Sequence, residues 1–128
     1  MTPFTIRNLK ELEDSAADRG PEIEARFGRR HLDTEHLGVS YFRYGRGYKA
    51  PYGHRHREQE EAYVVVGGSG RMRLDDEIVE LRQWDAIRVA PGVVRAFEGG
   101  PEGLELIAIG ADRPEGGDGE MIKDFWTD

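Results

Sequence analysis

Residues 52–70 read Y-G-H-R-H-R-E-Q-E-E-A-Y-V-V-V-G-G-S-G, and the rest of the 128-residue chain is organised around this stretch. His54 and His56 stand two apart. Side chains alternate faces along an extended strand, so both imidazoles point the same way. Glu58, Glu60 and Glu61 follow within a few residues. One carboxylate beside two imidazoles is the ligand set of non-haem iron sites and suits other divalent metals. Residues 62–66 are too apolar for an exposed strand and are expected between two sheets. Gly67-Gly68-Ser69-Gly70 is then expected to turn the chain.

Outward from this stretch the pattern is that of short strands. Val39, Tyr41 and Arg43 alternate with Ser40, Phe42 and Tyr44 before the turn Gly45-Arg46-Gly47. Downstream, Met72 and Leu74 alternate with Arg71 and Arg73, and Leu74-Asp75-Asp76-Glu77-Ile78 is a hairpin signal. Turns are expected at Arg82-Gln83-Trp84-Asp85 and at Pro91-Gly92, with Ile87 and Val89 on one face between them. Val93, Arg95 and Phe97 share a face of the next strand, residues 99–103 read as a long turn, and residues 104–109 form the last strong strand. Seventeen glycines without a repeat period fit many tight turns. The expected fold class is all-β, a double-sheet jelly roll.

The ends read differently. Asn8 is placed to cap a helix over residues 9–18, with Leu9, Leu12 and Ala16 on one stripe and Arg19-Gly20-Pro21 as its stop. Pro21 suits the first turn of a second short helix that ends at Gly28. Residues 1–36 are therefore expected as a short helical N-terminal arm, a lid or dimerisation element, residues 37–110 as the barrel, and residues 111–128 as a tail. Residues 113–119 read as a flexible connector; Met121, Ile122, Phe125 and Trp126 then anchor the tail, on its own barrel or, the favoured expectation, on a partner's.

Composition bounds the function. Zero cysteines exclude disulfides, thiolate metal sites and a cysteine nucleophile. A net charge of −7 disfavours a surface that tracks nucleic-acid phosphates. No apolar run approaches a membrane span and no basic-then-apolar leader opens the chain, so a cytoplasmic protein is expected. There is no G-x-S-x-G elbow, phosphate-binding glycine loop or zinc-protease helix motif.

The central stretch resembles the first signature motif of the cupins, H-x-H followed three or four residues later by Glu and then by a strand ending in Gly. Glu61 fits that spacing best and Glu60 is the reserve. The second cupin motif, G-D, a strand, P-x-G and then His, is similar to Trp84-Asp85, A-I-R-V-A, Pro91-Gly92 and V-V-R-A-F-E, with Arg95 standing where the third metal-binding histidine falls. The resemblance implies a small single-domain cupin barrel, a double-stranded β-helix, commonly dimeric. It also implies one divalent metal ion on His54, His56 and Glu61. The family includes dioxygenases, isomerases, decarboxylases and non-catalytic binders.

Arg95 separates the readings, because a guanidinium stays protonated and offers a metal no lone pair. Pointing inward, it can pair with Glu61 and occupy the metal's space; turned to the barrel mouth, it can hold an anionic ligand and leave the metal site open. The first functional reading is a binder of a small organic molecule, an anion among the candidates, near His54, His56 and Arg95, with Tyr52, Tyr63 and Phe97 as further contacts. The second is a metal-dependent enzyme, dioxygenase- or isomerase-like. Tyr41 and Tyr44 are further candidates for the pocket wall, and His31 or His36 could supply a missing ligand if the arm folds over the mouth.

Overall fold

The computed structural model describes residues 3–127; the first two residues of the expected arm and the last of the expected tail lie outside them. Eight strands follow in order: β1 Ile23–Phe27, β2 Gly38–Tyr44, β3 Tyr52–His56, β4 Glu61–Leu74, β5 Glu77–Arg82, β6 Ala86–Val89, β7 Arg95–Gly110 and β8 Gly119–Lys123. One short helix, α1 Arg29–Leu32, and two 3-10 turns complete them. Every pairing is antiparallel: β1-β2-β7-β3-β8 run side by side, and β4 pairs with β5, β6 and β7. The sheet curls on itself as a double-stranded β-helix around Tyr63, Val65, Met72, Phe97, Leu104 and Leu106, all buried. No helix among the described residues is long and apolar enough to cross a membrane.

The N-terminal segment departs from expectation. Asn8 does cap a helical turn, accepting the Lys10 N–H, but that turn ends at Glu11 and Leu12 is extended. The Asp14 carboxylate takes the N–H groups of Ala16 and Ala25, and the Ser15 N–H donates to the Ala25 carbonyl, so local polar groups draw the backbone away from a helix. The second expected helix is instead β1. Ile23 and Ala25 are buried in alternation with Glu24 and Arg26, which is period two, and the register runs from Ile23↔Tyr44 to Phe27↔Ser40. Glu24 then accepts from Arg43 on β2 at 2.6 Å, a cross-strand pair that ties β1 to the sheet.

Neither glycine cluster is a turn. Residues 67–70 lie inside the 14-residue β4, and residues 99–103 inside the 16-residue β7. The two clusters face each other, with register shifts at Val65/Gly67 and Gly68/Gly70. Gly68 has φ +67°, and a Cβ there would sit 2.0 Å from the Gly103 carbonyl oxygen. Glycine at this point lets two long strands bend together at close approach, which closes the barrel.

The expected tail packs on its own barrel. β8 pairs with β3 from Tyr52↔Lys123 to His56↔Gly119. Trp126 is buried, with Lys49 and Arg71 over its ring at 5.1 and 5.4 Å, and Arg73 covers Phe125 at 4.5 Å. Gly53 leaves the room that Phe125 fills.

Candidate metal centre and cavity

β3 presents His54 and His56 on one face, and β4 begins with Glu61 on the facing side. One ligand atom from each lies within 4.8 Å of the others. The Glu61 Oε1 atom is 3.3 Å from His54 Nε2 and 3.3 Å from His56 Nε2. Adjacent donors about 2.1 Å from one ion stand roughly 3.0–3.4 Å apart, so this spacing fits a shared cation. Glu60 has the opposite strand phase: it points outward and meets Arg88 at 3.3 Å.

A residue from the tail orients the second histidine. The Asp118 side chain is fully buried, and its Oδ1 lies 2.8 Å from His56 Nδ1. An ionised carboxylate only accepts, so Nδ1–H is the donor and Nε2 keeps its lone pair towards Glu61. Asp118 Oδ2 accepts the N–H groups of Glu58 (2.6 Å) and Gln59 (3.0 Å), which pins the loop between the histidines and Glu61. Burial pushes the Asp118 carboxyl up, but these bonds outweigh it and hold the group down at about 2. Within the described residues, His56 Nε2 is buried without a hydrogen-bond partner.

The Glu61 carboxylate collects the rest. Tyr63 donates its hydroxyl to Oε1 at 2.6 Å. Burial would raise the Glu61 carboxyl, yet His54, His56 and Tyr63 together hold it well below the usual carboxylate range. His56 is raised, first by Glu61 and against burial, with Asp118 assisting. Tyr63 is raised far above the ordinary phenol by burial and by the neighbouring Glu61 charge.

Arg95 is 0% exposed. It pairs with His54 across β3 and β7, its Nη1 donates to the carbonyls of Val93 (2.7 Å) and Pro91 (3.2 Å), and its Nη2 lies 3.3 Å from Glu61 Oε1. Nε and Nη2 have no hydrogen-bond partner among the described residues. The guanidinium therefore sits behind Glu61 and forms no part of the wall of the adjacent cavity.

That cavity has a volume of about 770 Å³ and reaches from the histidines along the concave face of β1 and β2. Tyr52, Tyr63 and Phe97 line it, as does Tyr44, whereas Tyr41, also buried, is not part of its wall and donates to Glu105. His31 lines it too, but does not join the three-ligand group; His36 is exposed and meets Asp112 at 3.2 Å. Asp118 and two arginines of the wall, Arg29 and Arg113, had no signal in the sequence: Asp118 is 62 residues from the histidine it holds.

No family model matches the chain, and no curated protein matches it. Among solved structures it is similar to a cupin protein from Bacteroides fragilis, with TM-score 0.73, 20% identity, and coverage of 88% of this chain and 86% of that one. This chain has the cupin fold. It is also similar to the polyketide cyclase RemF from Streptomyces resistomycificus (TM-score 0.73, 19% identity, 97% of this chain and 87% of that). Oxalate decarboxylase from Bacillus subtilis is a third such structure (TM-score 0.72, 20% identity, 93% of this chain but 32% of that).

Proposed function

We propose that this cupin holds one divalent metal ion on His54, His56 and Glu61 and binds a small organic molecule in the cavity beside it. The two imidazole nitrogens that each stand 3.3 Å from Glu61 Oε1, one of them the buried His56 Nε2 with no hydrogen bond among the described residues, carry the reading. The residues present fit such an ion: two imidazole nitrogens and one ionised carboxylate, with Asp118 selecting the tautomer. A divalent ion there supplies Lewis-acid polarisation of an oxygen-bearing ligand. The Tyr63 hydroxyl supports Glu61 in its ionised form, the buried Arg95 charge adds to that support, and the apolar wall of Ile23, Phe42 and Phe97 keeps the ligand's body from water. Binding comes first in this proposal. Turnover of the dioxygenase or isomerase kind would use the same centre, and the fold alone does not select it.

One contact favours a second reading. Arg95 Nη2 at 3.3 Å from Glu61 can neutralise the carboxylate without any metal, leaving the histidines as hydrogen-bonding groups for the ligand. Cobalt(II) titration followed by visible absorption decides between them. The proposal expects one saturable site per chain, weakened at least about tenfold by Glu61→Gln and unchanged by Glu60→Gln. A wild-type protein without cobalt bands, or equal loss in both variants, would support the metal-free pair.

A further inference from the structure

The cavity is cationic in a chain whose net charge is −7: Arg19, Arg29, Arg30 and Arg113 line it against the carboxylates of Glu13 and Glu61. Arg29 is placed there by the sheet. Glu61 on β4 pairs with Gly110 on β7, and Gly110 pairs with Gly38 on β2. Residues directly opposite on neighbouring strands point to the same face, so these three form one row across the interior. Two of the three carry no side chain: the Arg29 guanidinium fills the space beside Gly38, where a Cβ would lie 2.8 Å from its Nη2, and the Gln59 amide fills the space beside Gly110, where a Cβ would lie 2.5 Å from Nε2 of Gln59 and 3.7 Å from Nη2 of Arg29. Adjacent strands are about 4.8 Å apart, which puts the guanidinium roughly 5–10 Å along the row from Glu61.

Once there, Arg29 is only partly satisfied. Its Nη2 donates to the Ala111 carbonyl at 2.9 Å, an oxygen that also accepts from Gln59. Among the described residues neither Arg29 nor Arg113 has a carboxylate within ion-pair distance. Asp112, the acid beside them, is exposed and engaged with His36. Burial and the neighbouring Arg113 charge hold Arg29 below the usual arginine range, with Asp112 opposing. Two guanidiniums that repel each other across a cavity wall are relieved by an anion between them.

Resting on the reading of this cavity as the ligand site, we infer that its ligand is an organic acid, with Arg29 and Arg113 receiving the carboxylate and Ile23, Phe42 and Phe97 receiving its apolar body. Arg95 takes the inward of its two expected placements, beside Glu61, and the space at Gly38 admits Arg29 to the cavity instead. An acid held this way extends its other end towards His54 and His56.

The test compares two dyes of nearly the same apolar skeleton, anilinonaphthalene sulfonate and the uncharged phenylnaphthylamine, by fluorescence titration of the full chain, with displacement by phenylbutanoate and by its amide. The expected result is one saturable site for the sulfonate, about tenfold tighter than for the neutral dye, with the dye displaced by the carboxylate at lower concentration than by the amide. Arg113→Gln, an exposed position, and Arg29→Gln each bring the sulfonate's affinity down towards that of the neutral dye, and Arg29→Lys restores part of it. Equal affinity for both dyes, sulfonate binding unchanged in the Arg29→Gln, Arg113→Gln double variant, or no binding of either dye would each overturn the inference. Metal content measured on the same double variant keeps the two ideas apart. It stays at the wild-type value if only the anion site has been lost, and its absence from wild type would sink the metal proposal without touching the dye result.

Discussion

Asp118→Asn tests how the tail controls the centre. The wild-type carboxylate makes three bonds, to His56 Nδ1 at 2.8 Å and to the N–H groups of Glu58 and Gln59 at 2.6 and 3.0 Å. Asparagine has one acceptor oxygen and one donor amide. Its oxygen can keep both backbone bonds, which leaves the amide N–H facing His56. The imidazole must then give up its Nδ1 proton and carry it on Nε2, where it donates to Glu61 Oε1, 3.3 Å away. Metal affinity should fall about 10–100-fold, which is roughly 1.4–2.7 kcal/mol, because the lone pair offered to the ion is gone. Stability of the metal-free protein should fall as well, by about 1–3 kcal/mol, since three charge-assisted bonds become neutral ones. Competition for zinc against a chromophoric chelator measures the first quantity, and urea unfolding of chelator-treated protein the second. Wild-type zinc affinity in Asp118→Asn would refute the reasoning, because His56 Nε2 could not then be the donor atom.

Three more outcomes are expected. Arg95→His should raise metal affinity by replacing a buried cation with a third imidazole, the fourth ligand; zinc competition showing unchanged or weaker binding would mean that Arg95 does not border the ion. Gly68→Ala should cost about 2–4 kcal/mol in urea unfolding, from a side chain at φ +67° and a Cβ 2.0 Å from the Gly103 oxygen, and a loss below about 1 kcal/mol would show the bend to be soft. In metal-free protein, Glu61 and Asp118 are held below their ordinary values of 4.5 and 3.8, so their stabilisation is full above those values and lost as pH falls through the depressed ones; His56 is raised above 6.5, so its contribution is full below that and lost as pH rises past it. The urea midpoint should therefore be highest between pH 4.5 and 6.5, and a midpoint that keeps rising above 6.5 would contradict the assignment.

The parts of the structure that depend on local alternation were legible. His54 and His56 at i and i+2 follow from strand phase, Glu61 in preference to Glu60 follows from the spacing of the motif that the stretch resembles, and the structure gathers the three donors. The hairpin at Asp75-Asp76 and the turns before β6 and β7 are set by residues within four positions of each other. What was misread depends on partners far away in sequence. The helix expected after Pro21 is a strand because β2 offers it hydrogen bonds and a pairing arginine. The glycines of β4 look like a turn until the glycines of β7 are set opposite them. Asp118 and Arg29 reach the site only through the β3–β8 pairing and the Gly38–Gly110 row, neither of which has a local signature.

The most direct test of the central claim is the metal content of untagged protein, purified without chelator and measured by elemental analysis beside His54→Ala and His56→Ala. The account predicts close to one divalent ion per chain in wild type, or uptake of one on addition, and loss of it in both variants. A wild-type chain that neither carries nor takes up a divalent ion, or variants that retain it at full occupancy, would contradict the account.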